Sequence, residues 1–170
     1  MKRHKTAVIG LGNRLLADEG AGLHALELLK EALESRNCRE IDLVEAGTPG
    51  MNLLHQLEER EKIIFIDAGN CGGNPGEFKR FKPDDVVSRK KLQNMSLHEF
   101  DLLGFLEFAG KLGMTRDMEI VIYCIQPADM GISERLSPIV EKNLPLLVHE
   151  LSNEIMTGTA GREPGYPTLH

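Results

Sequence analysis

Short apolar runs alternate with amphipathic stretches along the chain, and each run has the length of a buried strand. The strongest run is Ile63–Ile66, which is apolar at every position, as expected of a central parallel strand covered on both faces. The same signal predicts strands over Thr6–Leu11, Ile41–Ala46 and Met118–Ile125, and an edge strand over Glu77–Phe81. These runs predict the strands of one sheet.

Helical periodicity fills the gaps between the predicted strands. In Gly20–Glu34, apolar residues recur every three or four positions and form one face of a helix. Asn52–Glu59 predicts a shorter helix and Leu97–Leu112 a longer one. The last helix begins near Ser137, a candidate N-cap, with Pro138 at the first helical position.

Strands that alternate with helices predict the α/β fold class. We expect a single-domain three-layer sandwich in which helices flank a twisted, mostly parallel central sheet. We place this domain in residues 1–156. Residues 157–170 lack a periodic apolar pattern, so we expect a flexible C-terminal tail.

The charge balance of the chain excludes one large class of partners. There are 26 acidic and 20 basic residues, which gives a net charge of -6. A general nucleic-acid-binding protein needs a basic face, so we expect no nucleic-acid partner. The exception is the basic segment Lys79–Lys91, for which we favour a solvated surface over a docking patch for an acidic partner.

Cysteine usage and hydropathy indicate the compartment. The three cysteines show no CxxC spacing, which fits a reducing environment. The N-terminal apolar run is too short for a signal peptide, and no stretch is long enough to cross a bilayer. We therefore expect a cytoplasmic protein without membrane insertion.

The segment Gly10–Gly22, GLGNRLLADEGAG, follows the first predicted strand and holds two adjacent carboxylates. A dinucleotide-binding fingerprint needs a third glycine where Leu15 stands, and Asp18 and Glu19 would repel a phosphate at the start of the helix. Helix capping explains one of the two acids but not the glycines around them. The turn is therefore better interpreted as presenting an acid than as cradling a phosphate.

Two further residues stand at comparable places. Asp67 directly follows the buried strand, at the edge where α/β sheets bind ligands, although an Asx-turn role is the simpler alternative. His98 falls in the first turn of a helix opened by the capping-box pair Ser96 and Glu99, where the helix dipole favours a neutral imidazole. Taken alone, it is an ordinary helix-start histidine. Glu19, Asp67 and His98 together provide two carboxylates and one imidazole, which suit a divalent transition metal with open positions.

Four motifs resemble those of the nickel–iron hydrogenase maturation endopeptidases, in the family's order and over nearly the whole chain. They are GLGNRLLADEGAG (Gly10–Gly22), GTPG (Gly47–Gly50), DAGN (Asp67–Asn70) and SLHE (Ser96–Glu99), supported by IQP (Ile125–Pro127). The first motif is specific and the others are short. The resemblance implies a twisted sheet flanked by helices, the phosphorylase/hydrolase-like form of the sandwich.

The resemblance also implies an activity. Family members remove a C-terminal extension from the hydrogenase large-subunit precursor once nickel has been inserted. That precursor would be the partner, and nickel would arrive bound to its cysteines rather than as a stored cofactor. The family's metal-contacting and catalytic residues map onto Glu19, Asp67 and His98. Cys124 departs from the glycine that the family usually has there, and for Cys71 we favour an ordinary loop cysteine over an extra soft ligand.

Alternative mechanisms and functions stay open from the sequence. A metal can polarise the scissile carbonyl or lower the pKa of a bound water to about 7. In an aspartic-type mechanism, Asp18 or Asp67 would activate water directly. A non-catalytic nickel-binding assembly factor could use the same three residues. A peptidyl-tRNA hydrolase also begins with a GLGN turn, but Arg14 stands where that family has proline.

Overall fold

The computed structural model of the protein describes residues 3–85 and 97–157, and for residues 97–101 it describes the backbone alone. Within these ranges the strands form one five-stranded sheet with the order β2-β1-β3-β5-β4. The strands are β1 (Thr6–Gly10), β2 (Ile41–Glu45), β3 (Lys62–Ala68), β4 (Phe78–Phe81) and β5 (Glu119–Ile125). Neighbours pair in parallel, except that β4 runs antiparallel to β5 at the edge. The predicted mostly parallel sheet is confirmed.

Among the described residues, the first three helices lie between these strands in the chain and the fourth follows β5. They are α1 (Ala21–Ser35), α2 (Leu54–Leu57), α3 (Leu97–Lys111) and α4 (Pro138–Thr157). Helix α4 begins at the predicted proline, whereas the predicted helix Asn52–Glu59 is a 3-10 turn (Met51–Leu53) followed by the short α2. That segment ends early because Glu59 adopts a positive φ of 61°, which an α-helix does not accommodate. No helix in the described ranges is long and apolar enough to span a membrane.

Alternate side chains of the central strand β3 belong to opposite faces of the sheet. Ile64 and Ile66 join the core that includes residues of α1 and α4. Ile63 and Phe65 join the core that includes residues of α3. All four side chains are fully buried, which is why the sequence shows an uninterrupted apolar run there. The three-layer α/β arrangement is therefore confirmed.

The carboxylate of Glu154 ties the end of α4 to the sheet. It accepts hydrogen bonds from Lys62 Nζ (3.0 Å), from Arg80 Nε (3.1 Å) and from the Tyr123 hydroxyl. Burial would raise the pKa of Glu154, but these donors outweigh it and lower the pKa to about 2. Lys62 stands at the amino end of β3 and Asp67 near its carboxyl end, so the cluster lies away from the predicted site, and we assign it a structural role.

The basic segment Lys79–Lys91 differs from the expected solvated surface where the structure describes it. Lys79 donates to the backbone carbonyls of Cys71 and Gly72 at 2.9 Å, and Arg80 pairs with the buried Glu154. Both side chains therefore hold neighbouring elements together. Lys82 is exposed, and residues 89–91 lie outside the described residues.

Gly22 allows α1 to pack directly against the sheet. A Cβ at this position would overlap the backbone carbonyl oxygens of Ile66 and Leu11. We expect Gly22→Ala to lower the free energy of unfolding by about 1–3 kcal/mol, since backbone atoms must shift to relieve the overlap. Thermal denaturation followed by circular dichroism measures this as a fall in Tm.

Gly104→Ala in helix α3 is the matched control, because no atom lies within 4 Å of the added Cβ. Alanine is the better helix former, so this variant should melt at or slightly above the wild-type temperature. A Gly22→Ala protein that melts as late as the wild type would show that the close approach contributes nothing.

Candidate active site

The turn after β1 carries Glu19 on a short 3-10 helix, Ala17–Gly20. Gly12 has a φ of +132°, and a Cβ there would overlap the backbone carbonyl oxygen of Glu19. The backbone that bears Glu19 therefore rests directly on Gly12. This contact explains Gly12, the second glycine of the GLGN motif, by its role in positioning Glu19. No bound phosphate is needed to explain it.

Glu19 and Asp67 line one shallow pocket at the carboxyl edge of the sheet. The other lining residues come from the exit of β1, from the GTPG loop and from the end of β3: Leu11, Gly12, Gly47, Thr48, Pro49 and Ala68. The pocket has a volume of about 30 Å³, enough for a water molecule or a single ion. Three of the motifs singled out in the sequence thus meet at one point.

Asp67 is placed by the sheet itself. It is the penultimate residue of β3 and lies in register with Cys124 of β5. One carboxylate oxygen, Oδ1, accepts a hydrogen bond from the backbone N–H of Ala68 at 2.9 Å, which limits the rotation of the side chain. Asp67 and Glu19 are both half-buried, so each carboxylate keeps contact with solvent and with a ligand that enters the pocket.

His98 lies in the first turn of α3, and its side chain is outside the described residues. Leu106 of α3 lines a cavity together with Met118 and Ile120, which flank the start of β5. The part of α3 around Leu106 therefore lies beside the amino end of β5. Among the side chains described in 3–85 and 102–157, no three metal-ligating residues cluster together. The role of His98 stays a prediction.

Asp18 is fully buried and serves as an anchor for a distant loop. Its Oδ2 accepts hydrogen bonds from the backbone N–H groups of Ala128 (2.8 Å) and Asp129 (2.9 Å) and from Ser137 Oγ (2.7 Å). Its Oδ1 accepts one from the backbone N–H of Ser137 at 2.7 Å. Burial would raise the pKa of Asp18, but these hydrogen bonds outweigh it and lower the pKa.

This geometry corrects two expectations for Asp18. It does not cap α1, because Gly20 occupies the N-cap position of that helix and makes no side-chain cap. It bonds instead to Ser137, the residue before α4. A fully buried carboxylate that already accepts four hydrogen bonds has no access to a substrate water, so Asp18 is a poor candidate for the base of an aspartic-type mechanism.

The IQP motif supports the loop that follows Asp67. Gln126 Oε1 accepts a hydrogen bond from the backbone N–H of Cys71 at 2.9 Å. The backbone of Gln126 also accepts from Gly76 at 2.8 Å. The sequence indicates IQP only as part of the family resemblance, because the contact joins residues 55 positions apart in the chain.

Comparison with known proteins agrees with the fold and identifies the family. A family model described as hydrogenase maturation protease matches residues 23–154. The chain belongs to this family. The match favours this family over the peptidyl-tRNA hydrolases, and the resemblance inferred from the motifs is confirmed.

Relatives of this chain include two proteins named hydrogenase expression/formation protein HupD. The one from Thiocapsa roseopersicina is 31% identical over 150 residues, covering 82% of this chain and 66% of that protein. The one from Rhodobacter capsulatus is 31% identical over 157 residues, covering 91% and 72%. The chain thus spans roughly two thirds to three quarters of the length of these relatives.

Solved structures of proteases from the family have the same fold. The [NiFe] hydrogenase maturation protease HybD from Thermococcus kodakarensis matches with a TM-score of 0.73 and 25% identity, over 89% of this chain and 98% of that chain. The hydrogenase maturating endopeptidase HybD from E. coli matches with a TM-score of 0.72 and 23% identity, over 91% and 94%. At such identity the second match shows the shared fold alone.

Proposed function

We propose that the protein is an endopeptidase that removes a C-terminal extension from a nickel–iron hydrogenase large-subunit precursor after nickel insertion. The observation that carries the proposal is the shared pocket of Glu19 and Asp67 in a chain of the hydrogenase maturation protease family. The cleavage reaction, the precursor as its substrate and a cytoplasmic location are all parts of this proposal, and they rest on the family resemblance.

The two carboxylates of the pocket, together with the imidazole predicted from His98, would suit nickel that is held by the substrate. Two carboxylates and an imidazole leave coordination positions open for ligands from the precursor. Glu19 and Asp67 would contact the ion from the protease side, and His98 would supply the imidazole. All three side chains must be deprotonated to do so, and activity should therefore fall at acid pH.

The pocket also explains how metal insertion would gate the cleavage. Nickel polarises a carbonyl or lowers the pKa of a bound water when it is present. The two carboxylates would hold the metal-bearing part of the precursor at the sheet edge, and the scissile bond would then lie beside them. A precursor without nickel lacks that attachment, so it would not be positioned for cleavage.

The surface beside the turn that carries Glu19 suits a macromolecular substrate. Leu15 and Ile132 are 56% and 94% exposed. Their loops are joined, because the backbone N–H of Ser133 donates to the carbonyl of Leu15 at 3.0 Å. Exposed apolar side chains next to a candidate active site are typical of surfaces that bind another protein.

The direct test is mass spectrometry of a candidate large-subunit precursor incubated with the purified protein. We expect the precursor to lose a C-terminal fragment when it carries nickel and to stay intact without nickel. An assembly factor that binds nickel without hydrolysis would leave the mass unchanged in both samples, which would contradict the proposal. Equal cleavage of both samples would contradict the requirement for nickel.

A further inference from the structure

Two of the three cysteines meet at the carboxyl edge of the sheet. Cys124 lies in β5, and Cys71 lies in the loop that follows β3. Cys124 lies two residues before Gln126, whose side chain contacts Cys71, and Cys71 lies two residues after Gly69, whose carbonyl oxygen contacts Cys124. Both residues are buried in the core cluster on the α3 side of the sheet.

The surrounding groups fix the position of each thiol. Cys71 Sγ lies 3.6 Å from Gln126 Oε1, and Cys124 Sγ lies 3.5 Å from the carbonyl oxygen of Gly69. The loop that bears Cys71 is held at its backbone as well, since Lys79 Nζ bonds to the carbonyls of Cys71 and Gly72. Contacts from Lys79 of β4, from Gln126 after β5 and from the loop itself therefore hold both cysteines in place at this edge of the sheet.

Cys71 has the features of an attacking thiol. Its pKa is lowered by the neighbouring Cys124 side chain, by the charge of Lys79 and by the backbone N–H groups of Cys71 and Gly73, which outweigh the opposing effect of burial. The thiolate is the nucleophilic form of cysteine. Gly72 and Asn74, which follow in the same loop, are exposed, so a small opening of the loop brings the sulfur to solvent.

The third cysteine provides an internal comparison. Cys38 is half-buried and packs against the core on the opposite face of the sheet, with α1 and α4. The sheet therefore separates it from Cys71 and Cys124. A reagent that reacts with thiols indiscriminately would modify Cys38, whereas a reaction of a preformed pair would not involve it.

We propose that Cys71 and Cys124 form a redox-active dithiol that a low-molecular-weight disulfide oxidises to a disulfide bond. The Cys71 thiolate attacks one sulfur of the small disulfide, whose S–S bond breaks and releases one thiolate. The Cys124 thiol then gives up its proton, attacks the Cys71 sulfur and displaces the second thiolate. The two protein thiols lose two electrons and two protons in total, and the small disulfide becomes two thiols.

The new bond would link the loop after Asp67 to β5 at the carboxyl edge of the sheet, where the candidate active site lies. Asp67 and Cys124 are register partners, so the cross-link forms beside one of the two pocket carboxylates. In a reducing compartment such a bond is transient and senses redox conditions. This site is independent of the proposed peptidase activity, because it needs neither nickel nor precursor.

The test uses the full chain with Cys38→Ser, which retains the pair and removes the third thiol. After incubation with oxidised glutathione, we expect intact mass to fall by two hydrogen atoms, and dithiothreitol to restore it. Peptide mapping without reduction should yield one linked peptide that contains Cys71 and Cys124. A chain that keeps both thiols, or that carries glutathione on them without a cross-link, would overturn the proposal.

Single variants in the same background separate the two steps. Cys124→Ser should stop at a glutathione adduct on Cys71, which dithiothreitol removes, because the second attacking sulfur is missing. Cys71→Ser should show no mass decrease, and a decrease in that variant would contradict the assignment. The peptide map of the Cys38→Ser protein decides the question by itself, even where one of these further variants fails to fold.

Discussion

Replacement of Glu19 by glutamine should abolish cleavage of a nickel-loaded precursor while the fold stays intact. Glutamine keeps the size of the side chain but replaces an anionic oxygen ligand with a neutral amide. Loss of an outer-shell partner of a metal ligand already costs about 10–100-fold in affinity or activity, so loss of the ligand itself should cost at least about 100-fold. The initial rate of fragment release, followed by mass spectrometry, measures this effect.

Glu31→Gln provides the matched control for Glu19→Gln. Glu31 is an exposed acid on helix α1, and its replacement makes the same change in net charge outside the pocket. We expect wild-type processing from this variant and the wild-type Tm from both. A Glu19→Gln protein that processes the precursor at the wild-type rate would rule out a ligand role for Glu19, and the pocket would then need a different explanation.

The sheet was largely predictable because its strongest signals come from residues buried on both faces. In β3, the run Ile63–Ile66 is apolar at every position since helices cover both sides. The edge strand β4 gave a weaker signal, because the adjacent Lys79 and Arg80 stand between two phenylalanines and resemble a solvated segment. Lys79 bonds to carbonyls of the loop just before the strand, whereas the partner of Arg80, the buried Glu154, lies 74 residues further along the chain.

The candidate site was predictable to the extent that strand ends determine it. Glu19 follows β1, and Asp67 lies just before the end of β3. Because β1 and β3 are neighbouring parallel strands, the approach of the two residues could be deduced from the sheet alone. Their action as metal ligands stays a prediction, as does that of His98. The function of Asp18 was not predictable, since its hydrogen-bond donors lie 110 to 119 residues further along the chain.

Asp18→Asn should destabilise the protein more than any surface substitution of the same kind. An amide has only one acceptor oxygen. When that oxygen faces Ala128 and Asp129, the amide nitrogen faces the backbone N–H of Ser137, and two donors oppose each other. Hydrogen bonds to a charged group contribute about 1.5–3 kcal/mol each, so we expect the free energy of unfolding to fall by about 3 kcal/mol or more at pH 7.

Asp129→Asn is the appropriate control for this comparison. Asp129 is exposed in the same loop, and its side chain accepts a hydrogen bond from Gly131 that an amide oxygen also accepts. Urea denaturation should therefore give a midpoint close to the wild-type value for Asp129→Asn and a clearly lower one for Asp18→Asn. Coincident curves for wild type and Asp18→Asn would show that the buried carboxylate adds nothing to stability.

The pH dependence of unfolding gives an independent measure of the same anchor. The hydrogen bonds hold the pKa of Asp18 in the folded protein below its value of about 3.9 in the unfolded chain. The stability that Asp18 contributes is therefore fully present above that unfolded value and is lost as the pH falls through the lower folded value. Between pH 5 and pH 3, wild type should lose more stability than Asp18→Asn, because the variant has no carboxyl to protonate at this position. Because the same bonds attach the turn of Glu19 to the loop before α4, acid should loosen the pocket together with the fold.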